Sequence, residues 1–290
     1  MSRLSIGMPV YNCEAFVGCA LESLLSQTFG DFELVISDNA STDGTEDVCR
    51  AFAERDARIR YVRRPDNIGG PGNFRSVFSL CSGEYHKWAT ADDYWDSRFL
   101  ERCIAMLDAH PDVVLCYSKT RLIDAAGVLI SYYEDNLDLN QSSPRDRFRD
   151  LFSRIGLCHA HLGVIRREAM KHTSLISPER GSDVHFLAEL ALYGKFAVVP
   201  EYLFHRRFHQ GSSSWDRTSH EHQRRYYEPT RQNGFAMQTW RKYRQLLDGV
   251  WRSPIEIRSK AALTMDLLRK SVWEREALRA EIISLVANRH

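Results

Sequence analysis

The stretch Leu4 to Val10 is apolar or small almost throughout, the pattern of a strand buried on both faces. Glu14 to Ser26 then sets Phe16, Ala20 and Leu24 at helical spacing. Phe32 to Ser37 repeats the strand pattern. The run Asp38-Asn39-Ala40-Ser41-Thr42-Asp43-Gly44-Thr45 is turn and cap chemistry, and Glu46 to Arg55 reads as a second helix. Arg58 to Arg63 predicts a third strand, Asn67 to Gly72 a loop, Asn73 to Cys81 a helix and Tyr85 to Ala89 a fourth strand. Alternation of this kind predicts an α/β fold with a mostly parallel sheet flanked by helices.

Beyond residue 95 the rhythm changes. Ser97 to Ala109 is helical, while Val113 to Ile123 and Val128 to Tyr133 read as paired strands around Ala125-Ala126-Gly127. Pro144 to Arg154 and Pro178 to Tyr193 are expected as helices, with Phe196 to Val199 and Tyr202 to Phe208 extended. From Asp216 onward the pattern is almost wholly helical. These shifts divide the chain into an α/β region at 1–215, split into 1–95 and 96–215, and a helical extension at 216–290.

The 43% hydrophobic and 27% charged composition is that of a globular protein, and a net charge of +1 gives no global field to recruit nucleic acid. No run approaches the roughly 18 apolar residues of a membrane span. Met1 to Asn12 lacks the basic head and continuous apolar stretch of a secretory leader. Seven cysteines without a C-x-x-C pair suit a reducing compartment, and the expectation is a cytoplasmic protein. Charge is unevenly divided: residues 216–290 carry 15 Lys/Arg against 9 Asp/Glu, and the remainder 24 against 29.

In an open parallel sheet, ligands bind outside the carboxyl ends of the strands. Here those ends are Pro9-Val10-Tyr11-Asn12, Ser37-Asp38-Asn39, Arg64-Pro65-Asp66-Asn67 and Thr90-Ala91-Asp92-Asp93. The side-by-side carboxylates Asp92 and Asp93 suit a divalent cation shared with substrate phosphate, or one of them caps the next helix. Asp38 reads either as a contact to a base edge or as an Asx-turn, and Tyr11 either as a stacking platform or as a core tyrosine. Their shared position favours a nucleotide.

Five ordered motifs carry a resemblance: Ser5 to Asn12, Leu21 to Phe29, Asp38 to Thr45, Asn67-Ile68-Gly69 and Ala91-Asp92-Asp93-Tyr94-Trp95. Together they resemble glycosyltransferase family 2 over residues 1–215. The resemblance implies a GT-A fold, a nucleotide-diphosphate sugar donor, Mg²⁺ or Mn²⁺, and inversion at the anomeric carbon. It assigns Pro9, Tyr11 and Asp38 to the nucleobase, Asp92 to the ribose or diphosphate, and Asp93 to the metal. Glu14 falls at a polar position near the donor or simply opens the first helix, and Asn67 belongs to the donor loop. The sequence departs from the family where Thr90 and Ala91 stand in place of a third aspartate, and Arg75 reads as a phosphate contact or an exposed helix residue.

Inverting transfer needs a base for the acceptor hydroxyl. The resemblance points to Asp183 in Arg180-Gly181-Ser182-Asp183, with Ser182 replacing a first acid, whereas the residues alone also allow a carboxylate serving the helix dipole. Tyr202 to Ser212 resembles the family's Arg-x-His-x-x-Ser ending. Arg207 and His209, two apart, share a strand face and could hold the diphosphate, His209 also touching the metal, or they form a solvated face. His159 and His161 lack the partners of a zinc site and read as acceptor-side or core residues.

No Walker A or Gly-x-Gly-x-x-Gly loop occurs. Besides transfer from a UDP-linked donor to a saccharide or lipid-linked acceptor, two readings stay open: a sugar nucleotidyltransferase and a non-catalytic nucleotide-sugar binder. The apolar stripes Leu263 and Leu267, and Leu278, Ile282 and Leu285, predict helices that pack on the catalytic region, form a homo-oligomer, or lie on the inner face of a membrane.

Overall fold

A computed structural model describes residues 2–212, 220–227 and 237–287. Leu4–Val10 forms β1, flanked in parallel by β2 (Phe32–Asp38) and β4 (Tyr85–Trp88), with β3 (Ile59–Arg63) beyond β2. The chain returns between them through α1 (Glu14–Leu25), α2 (Thr45–Arg55) and α3 (Gly70–Leu80). Covered in this way, β1 buries Leu4, Ile6, Met8 and Val10, which accounts for its uninterrupted apolar pattern.

The second half adds β5 (Tyr94–Trp95), α4 (Phe99–Ala109), β6 (Val113–Ile123), β7 (Leu129–Tyr133) and α5 (Pro144–Arg154). A 3-10 turn at His159–Leu162, β8 (Val164–Arg166), α6 (Arg167–Lys171), α7 (Ser182–Leu190) and β9 (Lys195–Arg207) follow. Among the described residues these strands join one nine-stranded sheet of order β3-β2-β1-β4-β8-β6-β9-β5, with β7 on β6. The β1–β4 region is parallel, and β8 meets β4 and β6 antiparallel.

Several boundaries differ from the sequence pattern for local reasons. The helix expected from Pro178 forms only at Ser182, because Gly181 at its start is left-handed (φ 71°). α3 begins three residues before Asn73, where Gly69 (φ 79°) turns the chain and Pro71 occupies the first turn. The two extended stretches near Phe196 and Tyr202 are one strand, β9, whose register against β6 shifts around Ser118–Thr120.

The tail contains α8 (His220–Tyr227), α9 (Gln238–Arg252), α10 (Ile257–Trp273) and α11 (Arg275–Ala287). The boundary expected at Trp215 lies outside the described residues. Leu246 and Val250 of α9 and Leu263 and Leu267 of α10 belong to the same buried core as the sheet. Polar bonds fix this packing: Ser177 Oγ donates to Gln245 Oε1 (2.7 Å), and Arg252 pairs with Glu189 (3.1 Å). Leu278 is half-buried, whereas Ile282 and Leu285 stay exposed. Among the described residues no helix is long and apolar enough to cross a membrane.

Candidate active site

The strand ends open into a cavity of about 990 Å³, lined by Pro9, Tyr11, Asn12, Glu14, Asn39, Asn67, Asn73, Asp92 and His209 among others. Asparagines shape its floor. Asn39 Nδ2 donates to Asn67 Oδ1 (2.8 Å), while Asn39 Oδ1 accepts the Ile68 N–H (2.9 Å), so the loop after β3 is held to the end of β2. Asn73 Nδ2 donates to the Ser37 carbonyl (2.7 Å) and its Oδ1 accepts from Ser37 Oγ (2.6 Å), fastening α3 to the sheet. Asn12 (φ 49°) turns the chain out of β1 in the left-handed region that Asn tolerates, and its Oδ1 accepts the Thr42 N–H (2.8 Å).

Glu14 and Asp43 exchange bonds between helix starts: Gly44 N–H donates to Glu14 (3.0 Å) and Glu14 N–H to Asp43 (3.2 Å). Both carboxylates thereby satisfy otherwise unpaired amides. Tyr11, 44% exposed, presents its ring to the same cavity. Beside it, burial and the nearby Asp92 charge push the Cys13 thiol up to about 12, so it stays protonated at neutral pH.

Asp92 and Asp93 point in different directions. Asp92 Oδ2 accepts from His209 Nε2 (3.1 Å), with the Gly211 N–H on Nδ1 (3.2 Å) and Phe16 against the ring (4.6 Å between centroids). Burial alone would raise the Asp92 carboxyl, but the His209 bond and the Arg206 charge outweigh it and hold it below the usual carboxylate range. Asp93 is sealed beneath. Its Oδ1 accepts the Arg207 N–H (2.8 Å), and its Oδ2 accepts from Arg206 (2.8 Å) and from the Thr90 hydroxyl. Burial would lower the Arg206 guanidinium, and the two carboxylates overcome that and raise it.

A second cavity, about 440 Å³, adjoins the first and shares Phe74, Thr90, Asp92 and Tyr226 with it. Asp183, at the start of α7, lines it together with His161, Arg180 and Arg206. His161 Nδ1 meets the Cys158 carbonyl, so that nitrogen carries the proton and Nε2 the lone pair when the ring is neutral. Burial depresses the His161 pKa, with Asp183 opposing. Lys87 is tied to the second cavity through Leu162, a residue of its lining. It is fully buried, donates to the Leu162 and Trp88 carbonyls, lies 4.2 Å from the Trp95 ring centroid, and is lowered to about 7 by burial.

The structure brings Pro9, Tyr11, Glu14, Asn67, Asp92 and His209 to the first cavity and Asp183 to the second. It corrects four expectations. Asp38 does not reach the cleft: it is fully buried, and its oxygens take the Ser41 N–H (2.9 Å), the Tyr61 hydroxyl (2.6 Å) and Arg63 (2.9 Å). Asp93 is not open to a cation, since both oxygens are occupied internally. Arg207 is not a diphosphate clamp. Its Nε donates to the Asp92 carbonyl (2.9 Å) and its guanidinium to the Ala125 carbonyl (2.8 Å), which leaves Arg206 to line the second cavity. Arg75 is exposed on α3, turned away from the cavity that Asn73 and Phe74 line. Asn39, Asn73, Lys87 and Arg206 are contributors that the motifs did not single out.

Among the described residues no three His, Cys, Asp or Glu side chains gather into a metal site. Asp92 Oδ2 supplies one ligand at the cleft; His209 Nε2 beside it donates to Asp92 while Nδ1 accepts the Gly211 N–H, so it becomes a second ligand only when the Nε2 proton is released and the Gly211 bond is given up. Such a pair fits a divalent ion that takes its other ligands from water and phosphate, and the nitrogen suits Mn²⁺ better than oxygen-seeking Mg²⁺.

Residues 5–173 match the family Glycosyl transferase family 2. Uncharacterized protein Rv1520 of Mycobacterium tuberculosis is 29% identical over 242 residues, 81% of this chain, and this chain spans 66% of that relative's length, just under two thirds. S. aureus TarS 1-349 in complex with UDP-GlcNAc superposes with a TM-score of 0.67 at 16% identity, covering 92% of this chain and 71% of TarS 1-349. Mannosyltransferase PcManGT from Pyrobaculum calidifontis, in complex with GDP-Man and Mn²⁺, gives 0.54 at 17% identity, covering 99% and 75%. At these identities the two structures establish the likeness of fold, a GT-A sheet flanked by helices.

Proposed function

Since the chain belongs to Glycosyl transferase family 2, we propose that it is a nucleotide-sugar glycosyltransferase that moves a sugar with inversion from a UDP-linked donor to a hydroxyl of a saccharide or lipid-linked acceptor. The observation that carries this reading is the pair of cavities meeting at Asp92, one lined by Tyr11 and the other by Asp183. In this reading Tyr11 stacks on the base, and the diphosphate lies toward Asp92 and His209. Asp92, with His209 once its Nε2 proton is released, would hold a divalent ion, which would supply charge neutralisation for the departing diphosphate. Bound nucleotide sugar in TarS and Mn²⁺ in PcManGT support the donor class and the metal.

The acceptor occupies the smaller cavity, on the opposite side of the anomeric carbon from the diphosphate. Its hydroxyl oxygen bonds to that carbon as the carbon–oxygen bond to phosphate breaks, and Asp183 takes the hydroxyl proton. The products are the inverted glycoside and a nucleoside diphosphate. Asp183 suits the task because it opens α7 at the cavity wall, half-buried, in a site that Phe74, Phe208 and Tyr226 help to screen from water.

The reading is tested with a panel of nucleotide sugars, with and without Mn²⁺, followed by product analysis. Release of nucleoside diphosphate together with a new glycoside supports it. Formation of nucleoside triphosphate from pyrophosphate would identify a nucleotidyltransferase, and saturable binding without turnover on any acceptor class would leave a binding protein.

A further inference from the structure

The inner face of α10 is fixed by Leu263 and Leu267 in the core, and Asp266 on that side pairs with Arg149. Away from that face, Ala261, Met265, Leu268 and Val272 fall at i, i+4, i+7 and i+11, a single stripe along the helix. Met265, Leu268 and Val272 are 51%, 49% and 58% exposed, and Trp273 at the helix end is 85% exposed. On α11, Ile283 and Val286 are exposed as well. Unlike Leu263 and Leu267, these side chains lie outside the core.

Charge on the two helices is sorted. Besides Asp266, Glu274 pairs with Lys242, and Glu281 accepts the Thr239 N–H (2.8 Å), so these acids serve the body of the protein. Arg258, Arg269, Arg275 and Arg279 are exposed, and among the described residues of these helices and their caps the exposed acids are Glu276 and Glu256. Arg258 and Arg269, eleven positions apart, run along one flank of the apolar stripe.

We propose that this face of α10 and α11 lies on a lipid bilayer rich in anionic headgroups. An apolar stripe flanked by arginine, with a tryptophan at its end, matches a surface whose acyl boundary is apolar and whose headgroups are negative. A second copy fits less well, since two-fold pairing of the same face would bring like arginine rows together while desolvating them. Bilayer contact deepens the proposed function by favouring the lipid-linked acceptor. It is tested without donor or acceptor, so its failure leaves the transfer reading untouched.

The full chain is co-sedimented with vesicles of phosphatidylcholine alone and with about a third phosphatidylglycerol, at about 0.1 M and about 1 M salt, where the screening length falls from about 10 Å to about 3 Å. Binding should require phosphatidylglycerol and weaken at least tenfold at high salt. Each basic residue removed should lower partitioning about fivefold, so R269Q together with R279Q should lower it about 25-fold. Leu268→Ser with Val272→Ser should lower it roughly tenfold or more. These positions are exposed, and unchanged melting of each variant confirms that the fold is kept. The proposal is overturned if the vesicles are ignored, if binding is indifferent to lipid charge or to these variants, or if the protein is a dimer in solution whose dissociation follows the same substitutions.

Discussion

Asp93→Ala should be a folding mutation rather than a catalytic one. Its carboxylate accepts from the Arg206 guanidinium (2.8 Å), the Arg207 amide (2.8 Å) and the Thr90 hydroxyl, with no exposed side-chain surface. Removing it strands a buried cation and a backbone N–H, and breaking a buried pair from one side costs about 3–5 kcal/mol. Asp92 stands 3.9 Å from Arg206 and recovers part of that charge balance, which places the loss toward the lower end. For a chain of this size, with roughly 2–4 °C of melting temperature per kcal/mol, a fall of about 6–12 °C is expected. Asp92→Asn is the comparison. It faces the cleft and keeps an amide oxygen to accept from His209, so it should lose less melting temperature than Asp93→Ala, the loss coming from the His209 and Arg206 charges that no longer meet a carboxylate, while losing metal-stimulated turnover. Thermal melts and nucleoside diphosphate release, measured on both variants, separate the two roles. The reasoning fails if Asp93→Ala melts like the parent yet has lost its metal response.

Asp183→Asn should retain donor affinity and lower transfer by about 10² or more, the usual loss for a general base; unchanged single-turnover chemistry would remove Asp183 from that role. Tyr11→Ala should weaken nucleotide binding by about 1–3 kcal/mol, the range for stacking of a base on an aromatic ring, read by calorimetry with UDP. Equal affinity in the two proteins would refute the stacking. Burial pushes His86 down to about 3, and His185 and His205 to about 4. The unfolded chain takes up these protons near pH 6.5 and the native protein only at the lower values, so stability is full above about pH 6.5 and declines as pH falls toward 4. Melting temperature should drop across that window and less steeply in His185→Gln, whereas a flat profile would contradict the burial argument.

Much of the first 95 residues was legible because strands and helices there alternate in long, distinct patterns. Shorter pieces were not. β5 has two residues and β8 three, too few to show a period, and they pair only because β9 and β4 are already in place. Two of the motif residues that miss a cavity miss it by one position. In Asp38 and Asn39, and in Arg206 and Arg207, the expected contact is the neighbour of the side chain that reaches a cavity, and of the two carboxylates the metal was assigned to the one that is sealed. Successive side chains in extended backbone point to opposite sides, so an error of one position exchanges floor for cleft. Which parity holds depends on long-range partners such as Tyr61, Arg63 and the Ala125 carbonyl, and spacing within a motif carries no record of them.

Among the described residues the two cavities share Phe74, Thr90, Asp92 and Tyr226, and the other lining residues belong to one chamber alone. Selection can therefore act on the chambers separately. Under the proposed function, substitutions around Tyr11 and Asn67 retune which nucleotide is accepted without disturbing the pocket at His161 and Asp183, and the reverse holds for the receiving molecule. A protein built this way changes one chamber at a time, and the four shared residues are where a substitution is felt on both sides at once.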